Sequence, residues 1–315
     1  MRHSVYTDGG KEFMTGFISI LPFAFCLFTF AQGQETRQII PEEFVKTRPA
    51  KSTAPSDKRA SYRPATAKSA SKARAPRPDS SDGMQLGLTI WRLRPTRPAD
   101  GGARIIVHQE NETEEWTPER VESNALLRMG DRIRFSFESP QKGHLYVIDR
   151  EQYSDGSLGE PYLIFPTTRT RDGDNQVAPG RIIEIPGQED RPNFFTLKKT
   201  RADQTGELLT VIVTPQPIEG INIGEKPLQL SNEQVAKWEK QWGAQTEKFE
   251  MTGGAGKTWT AVEREAGASA TRQLTQEDPG PQTIYRVAVK PGSPLLVKVG
   301  LRYRRAAAQP GRTNR

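Results

Sequence analysis

At 315 residues, with a net charge of +7, 34% hydrophobic residues and a mean hydropathy of −0.68, the chain is too polar to be packed throughout, so a folded part must be diluted by polar segments. The charge is uneven: Lys46–Pro78 holds ten Lys or Arg against one acid, Arg302–Arg315 holds five Arg and no acid, and Asp79–Leu301 carries about −5. An acidic core disfavours a nucleic-acid groove, and the lone cysteine, Cys26, leaves no disulfide, thiolate zinc site or cysteine nucleophile downstream of it.

The first element is the apolar run Phe17–Ala31, fifteen apolar or small residues, followed by Ala31-Gln32-Gly33. That length fits a secretory signal and falls short of the roughly 18 residues a spanning helix needs. Residues 1–33 are therefore expected to be a signal peptide, translated from Met1 or Met14, with an uncleaved anchor as the alternative. Residues 34–83 follow as a linker expected to be disordered. They are rich in Pro, Ala, Ser, Lys and Arg, with five prolines between Pro49 and Pro78, and have too few large apolar side chains to offset ordering. As a spacer it would hold the folded part off the membrane, and its charge could contact an anionic envelope polymer or a membrane surface.

From Met84 the pattern becomes β-rich. Leu86–Leu93 and Arg104–His108 read as strands, and Trp116–Arg120 reads as a helix start with Thr117 as cap and Pro118 in the first turn. Between Gly130 and Pro217 lie five short β-branched and aromatic runs, 132–137, 144–149, 162–165, 181–185 and 207–213, with Phe194–Leu197 as a further short strand. Ser231–Lys248 is expected to be a helix, with Ser231 as cap, Gln234 completing a capping box, and Val235, Trp238 and Trp242 on one face. Ile284–Val289 and Leu295–Leu301 form a last strand pair around Pro291-Gly292. Residues 84–303 are thus expected to be one all-β domain, an antiparallel Ig-like β-sandwich with one appended helix, and residues 304–315 a disordered basic tail.

The pattern Gly130-Asp131, Leu145-Tyr146-Val147-Ile148-Asp149, Gly156, Leu163-Ile164-Phe165-Pro166, Asn175, Gly180 and Ile185-Pro186 resembles the bacterial family catalogued as domain of unknown function 4384, over roughly Leu88–Pro217. The resemblance implies an Ig-like sandwich in exported or signalling proteins, with no established enzymatic activity.

Chemistry-bearing motifs are sparse. Gly253-Gly254-Ala255-Gly256-Lys257-Thr258 imitates a phosphate loop, but Met251 stands where its first glycine belongs, and the run is read as a flexible connection after a polar helix. Two acidic connections are the binding candidates: Asp149, Asp155 and Glu160 (with Glu151) in one, and Asp172, Asp174 and Asn175 in the next. Oxygen ligands on a flexible loop suit calcium, yet the EF-hand spacing is missing, and Asp155-Gly156 and Asp172-Gly173 are ordinary turn dipeptides. His108 and His144 read as plain strand residues, and Trp91, Phe135, Phe137, Tyr146, Tyr162 and Phe165 as core-facing. Asn111-Glu112-Thr113 is a glycosylation sequon only in a eukaryotic host. The expectation is an exported, non-enzymatic binding or scaffolding protein of the bacterial envelope, without catalytic residues, metal or cofactor. Its partner would be a protein or an anionic polymer. The alternatives are a carboxylate-based hydrolase and a calcium-dependent adhesion module.

Overall fold

The computed structural model describes residues 42–50, 61–64, 83–109, 112–269 and 271–304. The expected signal peptide, Cys26, most of the linker and the basic tail from 305 lie outside them. Residues 42–46 form a helical turn, α1. The strands in chain order are β1 (Tyr62–Pro64), β2 (Met84–Pro95), β3 (Ile105–Gln109), β4 (Glu112–Val121), β5 (Leu126–Leu127), β6 (Arg132–Glu138), β7 (Gly143–Tyr153), β8 (Tyr162–Phe165), β9 (Gln176–Val177), β10 (Ile182–Ile185), β11 (Phe195–Thr196), β12 (Gln204–Thr214) and β13 (Leu228–Gln229). Helix α2 (Asn232–Trp242), β14 (Thr246–Met251), helix α3 (Ala261–Ala268), β15 (Thr283–Val287) and β16 (Leu295–Tyr303) follow.

Two antiparallel-rich sheets pack as a sandwich. In the first, β2 is central: β6 lies on one edge, and β15 then β4 share the other, giving the order β1-β14-β15-β2-β4-β3 with β10 and β11 on β6. The second runs β13-β8-β7-β12-β16-β5, with only the β16–β5 pair parallel. Period-two alternation decides what lies between them. Leu86, Leu88 and Ile90 of β2 and Ile133, Phe135 and Phe137 of β6 meet Leu145 and Val147 of β7, Leu209, Val211 and Val213 of β12, and Val297, Val299 and Leu301 of β16. Each such side chain contributes roughly 1.5–3 kcal/mol on burial. The all-β sandwich with a helix on it is therefore the observed fold.

The outer face of the second sheet carries Tyr146, Ile148, Ile212 and Leu296, and α2 covers them with Val235 and Trp238. Trp242 stacks on Trp238 at 5.8 Å, so these rings pack rather than stand free. The helix begins at the expected cap, Ser231 Oγ accepting from the Gln234 amide at 3.1 Å, but without the reciprocal Gln234 half of the expected capping box. It stops at Trp242, six residues short of the expected end, because Gly243 interrupts it and 246–250 pair with β15 instead. Ser231→Ala should cost about 1 kcal/mol, read as a fall of roughly 2–4 °C in Tm.

The outer face of the first sheet is buried too, and its floor is polar: Arg134 pairs with Glu184 at 2.7 Å, Arg48 with Glu138 at 2.7 Å, and Arg120 with Glu263. Trp259, Ala266, Leu274 and Arg48 pack over it. Three expectations fail here. Trp116–Arg120 is not a helix start but part of β4. Pro118 is tolerated there because β3 ends opposite Trp116, after which the Trp259 amide donates to the Pro118 carbonyl at 3.3 Å and the Arg120 amide to Lys257 at 2.9 Å. The range 34–83 is not wholly linker. Phe44 and Tyr62 are buried, and β1 extends the sheet at β14, because partners far along the chain supply the contacts their neighbours lack. Finally, the single appended helix is joined by a second, α3, just after the glycine-rich run, capped reciprocally by Thr260 and Glu263.

Candidate functional site

The site grows from the register of β7 with β12. Leu145 and Val147 face the core, so Asp149, Glu151 and Tyr153 continue the same inward face toward one end of the sandwich. On β12, Glu207 extends the row of Leu209, Val211 and Val213, and it sits directly opposite Glu151. Like charges directly opposite destabilise a sheet, so three carboxylates at this end have no evident use in folding. A bulge at 204–206 precedes Glu207. Gly206 is needed there, since a Cβ would collide with the Leu301 carbonyl of β16.

Two of the three acids are held by hydroxyls. Tyr153 donates to Glu151, as does Thr200 Oγ1 at 2.6 Å, and Tyr303 donates to Glu207. Asp149 differs: its Oδ1 is sealed from solvent and has no hydrogen-bond partner. Burial, then the Glu207 carboxylate, push Asp149 well above the ordinary carboxylate range, with Glu151 adding to the effect and the Arg150 amide opposing it. Burial likewise raises Glu207, against the Tyr303 hydroxyl that lowers it. Burial and the Glu207 charge raise the Tyr303 hydroxyl itself.

A cleft of about 490 Å³ opens here, lined among others by Asp149, Glu151, Tyr153, Glu160, Tyr162 and Arg201. Its rim is fixed by Arg150, which donates to the Gly159 carbonyl at 2.8 Å and to Asn232 Oδ1 at 2.6 Å, tying the 154–160 loop to the start of α2. Asn232 in turn donates to Glu160 at 3.3 Å. Arg201 lies 3.9 Å over the Tyr153 ring and pairs with Asp203 at 2.8 Å. Tyr162 is 42% exposed, not core-facing as its alternation suggests, since it pairs with Asp149 where the core face opens into the cleft.

The six residues singled out in the sequence therefore divide. Asp149 and Glu160 line the cleft. Asp155 is exposed in a turn, accepting from the Ser157 amide and hydroxyl at 2.8 and 2.6 Å. In the other connection Asp172 is exposed at a positive φ, Asp174 is paired with Arg181, and Asn175 is buried, donating to the Leu145 carbonyl at 3.0 Å. Asn175 also meets His144 Nδ1 at 3.2 Å, leaving His144 a strand residue with a structural partner. Glu207 and Tyr303 are additions, invisible without the strand register. Among the described residues, no three His, Cys, Asp or Glu side chains are arranged to hold a metal ion.

The glycine-rich run departs from its expected setting. It follows a strand, β14, and precedes a helix, α3, as a phosphate loop would. Its amides are nonetheless engaged: Gly256 donates to the Arg120 carbonyl at 2.8 Å and Lys257 to Gly254 at 3.1 Å, and the Glu263 carboxylate already occupies the helix start.

Fold and cleft together define an all-β sandwich domain with an acidic pocket at the end of one sheet. Residues 126–217 match the model of the family described as Domain of unknown function (DUF4384). The match runs from β5 past β12 and includes all six candidate residues, and it begins at 126 rather than at Leu88. No curated protein and no solved structure matches the chain.

Proposed function

We propose that the protein is an exported, non-enzymatic binding module of the bacterial cell envelope, and that the cleft at the end of β7 takes a basic segment of a partner protein. The observation that carries the cleft reading is the buried, unpartnered oxygen of Asp149 among Glu151 and Glu207. A lysine or arginine side chain entering the cleft would pair with the Glu151 and Glu160 carboxylates that line it, and its charge would offset the repulsion among Asp149, Glu151 and Glu207. The exposed Tyr162 ring offers the stem of such a side chain an apolar surface. Export and envelope location rest on the run Phe17–Ala31 and the basic segment after it. Cell fractionation tests them: processed protein outside the cytoplasm is expected, and full-length protein inside it would overturn them.

Titration of the mature protein with a labelled lysine-rich peptide tests the cleft. Binding should weaken as salt is raised, and Glu151→Gln with Glu160→Gln should weaken it about tenfold or more, the scale of one charge-assisted contact. A peptide that does not bind, or binds the variant equally, sinks the reading. One observation favours a second reading. Asp149, which burial raises, lines the cleft with Glu151, and the burial-raised Glu207 lies opposite Glu151 behind them, a set of carboxyls of the kind an acid–base hydrolase of envelope polysaccharide requires. Turnover of such a polymer, abolished in Asp149→Asn, would replace binding with catalysis.

A further inference from the structure

We propose that residues 42–50 and 61–64 form an exchangeable strap, and that the groove they fill on the first sheet also receives the same residues from a second copy of the chain. The groove lies on the outer face of the sheet containing β2 and β14, and the inference stands independently of the cleft.

The groove is shaped for three side chains. Phe44 seats in a notch left by Gly87, where a Cβ would stand 2.7 Å from the ring. Tyr62 seats against Gly280, where a Cβ would strike its hydroxyl, and that hydroxyl donates to the Pro281 carbonyl at 2.7 Å. Between them Arg48 enters a socket that uses its whole guanidinium. Nε and Nη2 donate to the two Glu138 oxygens at 2.7 Å each, Nη1 to the carbonyls of Asp278 at 2.9 Å and Thr275 at 3.2 Å, and Nη2 to Pro279 at 3.1 Å. Gln276 clamps the strap's backbone, its side chain donating to the carbonyls of Lys46 and Arg48 at 3.0 Å each. A planar fork matched donor by donor is a recognition device, not generic burial.

Each of these partners is remote in sequence: Gly87, Glu138, β14 and 275–281. Only residues 65–82 join the strap to β2, eighteen residues that could reach about 60 Å when extended. Nothing in the geometry obliges the strap to enter its own groove. A second copy carries the same key by identity, and a copy whose strap has left presents an open socket to its neighbour's strap. Reciprocal exchange then closes a twofold dimer with both grooves filled.

Charge reversal of the full chain tests this. Arg48→Glu should abolish strap seating, since the introduced carboxylate would face Glu138, and Glu138→Arg should do the same by opposing Arg48. Each variant alone should be monomeric by light scattering, with a lowered melting midpoint. Mixed, they should form a heterodimer, because the Glu138→Arg chain still offers Arg48 to the intact socket of its partner. A mixture that stays monomeric with unshifted melting overturns the proposal. Should Glu138→Arg fail to fold, isotopically heavy and light wild-type chains can be mixed and cross-linked from Lys46. Heavy–light links into 274–282 are expected, and only heavy–heavy and light–light links overturn the proposal.

Discussion

Replacing Arg134 by methionine is expected to destabilise the protein by about 3–5 kcal/mol, a fall in Tm on the order of 10 °C. The side chains of Arg134 and Glu184 are 0% and 2% exposed, on the outer face of β6 and β10, beneath the segment that contains α3. Arg134 donates to Glu184 at 2.7 Å and to the Asn193 carbonyl. Without it, Glu184 keeps only Gln188, at 2.9 Å, for a carboxylate that burial already raises despite Arg134. There is no slack nearby, since a Cβ on Gly267 would collide with the Glu184 carboxyl. The variant's deficit should shrink on acidification. A carboxyl whose folded-state pKa is raised loses stability as pH rises through that pKa, so protonation at low pH removes the stranded charge. Arg134→Met with Glu184→Leu should recover most of the loss, because apolar replacement of a buried pair is often neutral where breaking one is not. Denaturant melts of the two variants at pH 5 and pH 8 check this. A single variant as stable as wild type at pH 8 would show that the pair does not hold α3 down.

How much of this was legible in the sequence depends on the reach of each interaction. Strands such as β2, β6 and β12 declare themselves by β-branched and aromatic alternation, because one face of each meets the core. β4 hid behind Thr117-Pro118, which imitates a helix start, since only the end of β3 and the arrival of residues 256–259 make a proline acceptable there. Helix α3 carried a readable capping box, Thr260 with Glu263, obscured by the glycine-rich run before it. Phe44, Arg48 and Tyr62 could not be read as ordered from their neighbours, which are polar or proline-rich; Arg48 meets Glu138 90 positions away and Asp278 230 away. The candidate site was half legible for the same reason. Asp149 and Glu160 share a connection and could be grouped by eye, whereas Glu207 and Tyr303 join them only through pairing of β7, β12 and β16.

Asp149→Asn should raise the Tm at pH 7–8 by a few degrees, corresponding to about 1–3 kcal/mol for relieving a buried carboxylate oxygen that lacks a partner. The gain should disappear near pH 4. Burial and the Glu207 charge raise the folded-state pKa of Asp149, so the folded protein holds a proton there that the unfolded chain releases. Stability from this group is complete below the unfolded value of about 3.9 and is lost as pH rises through the raised folded value. Glu207 acts in the same direction. Opposing them, Asp100 is held low by Arg94, and Asp174, despite its burial, by the Gln176 amide and Arg181. Their contribution is present above the unfolded value and fades as pH falls through the lowered one. Wild-type stability should therefore peak in mildly acidic solution, and Asp149→Asn should flatten only the neutral side of that peak. A cationic ligand in the cleft should lift the neutral side of the wild-type curve more than that of Asp149→Asn, which keeps Glu151 and Glu160 but has no buried charge left to relieve. A polysaccharide substrate carries no such charge and should leave the pH profile of melting as it was, so the same set of melts separates a basic partner from a hydrolase's substrate.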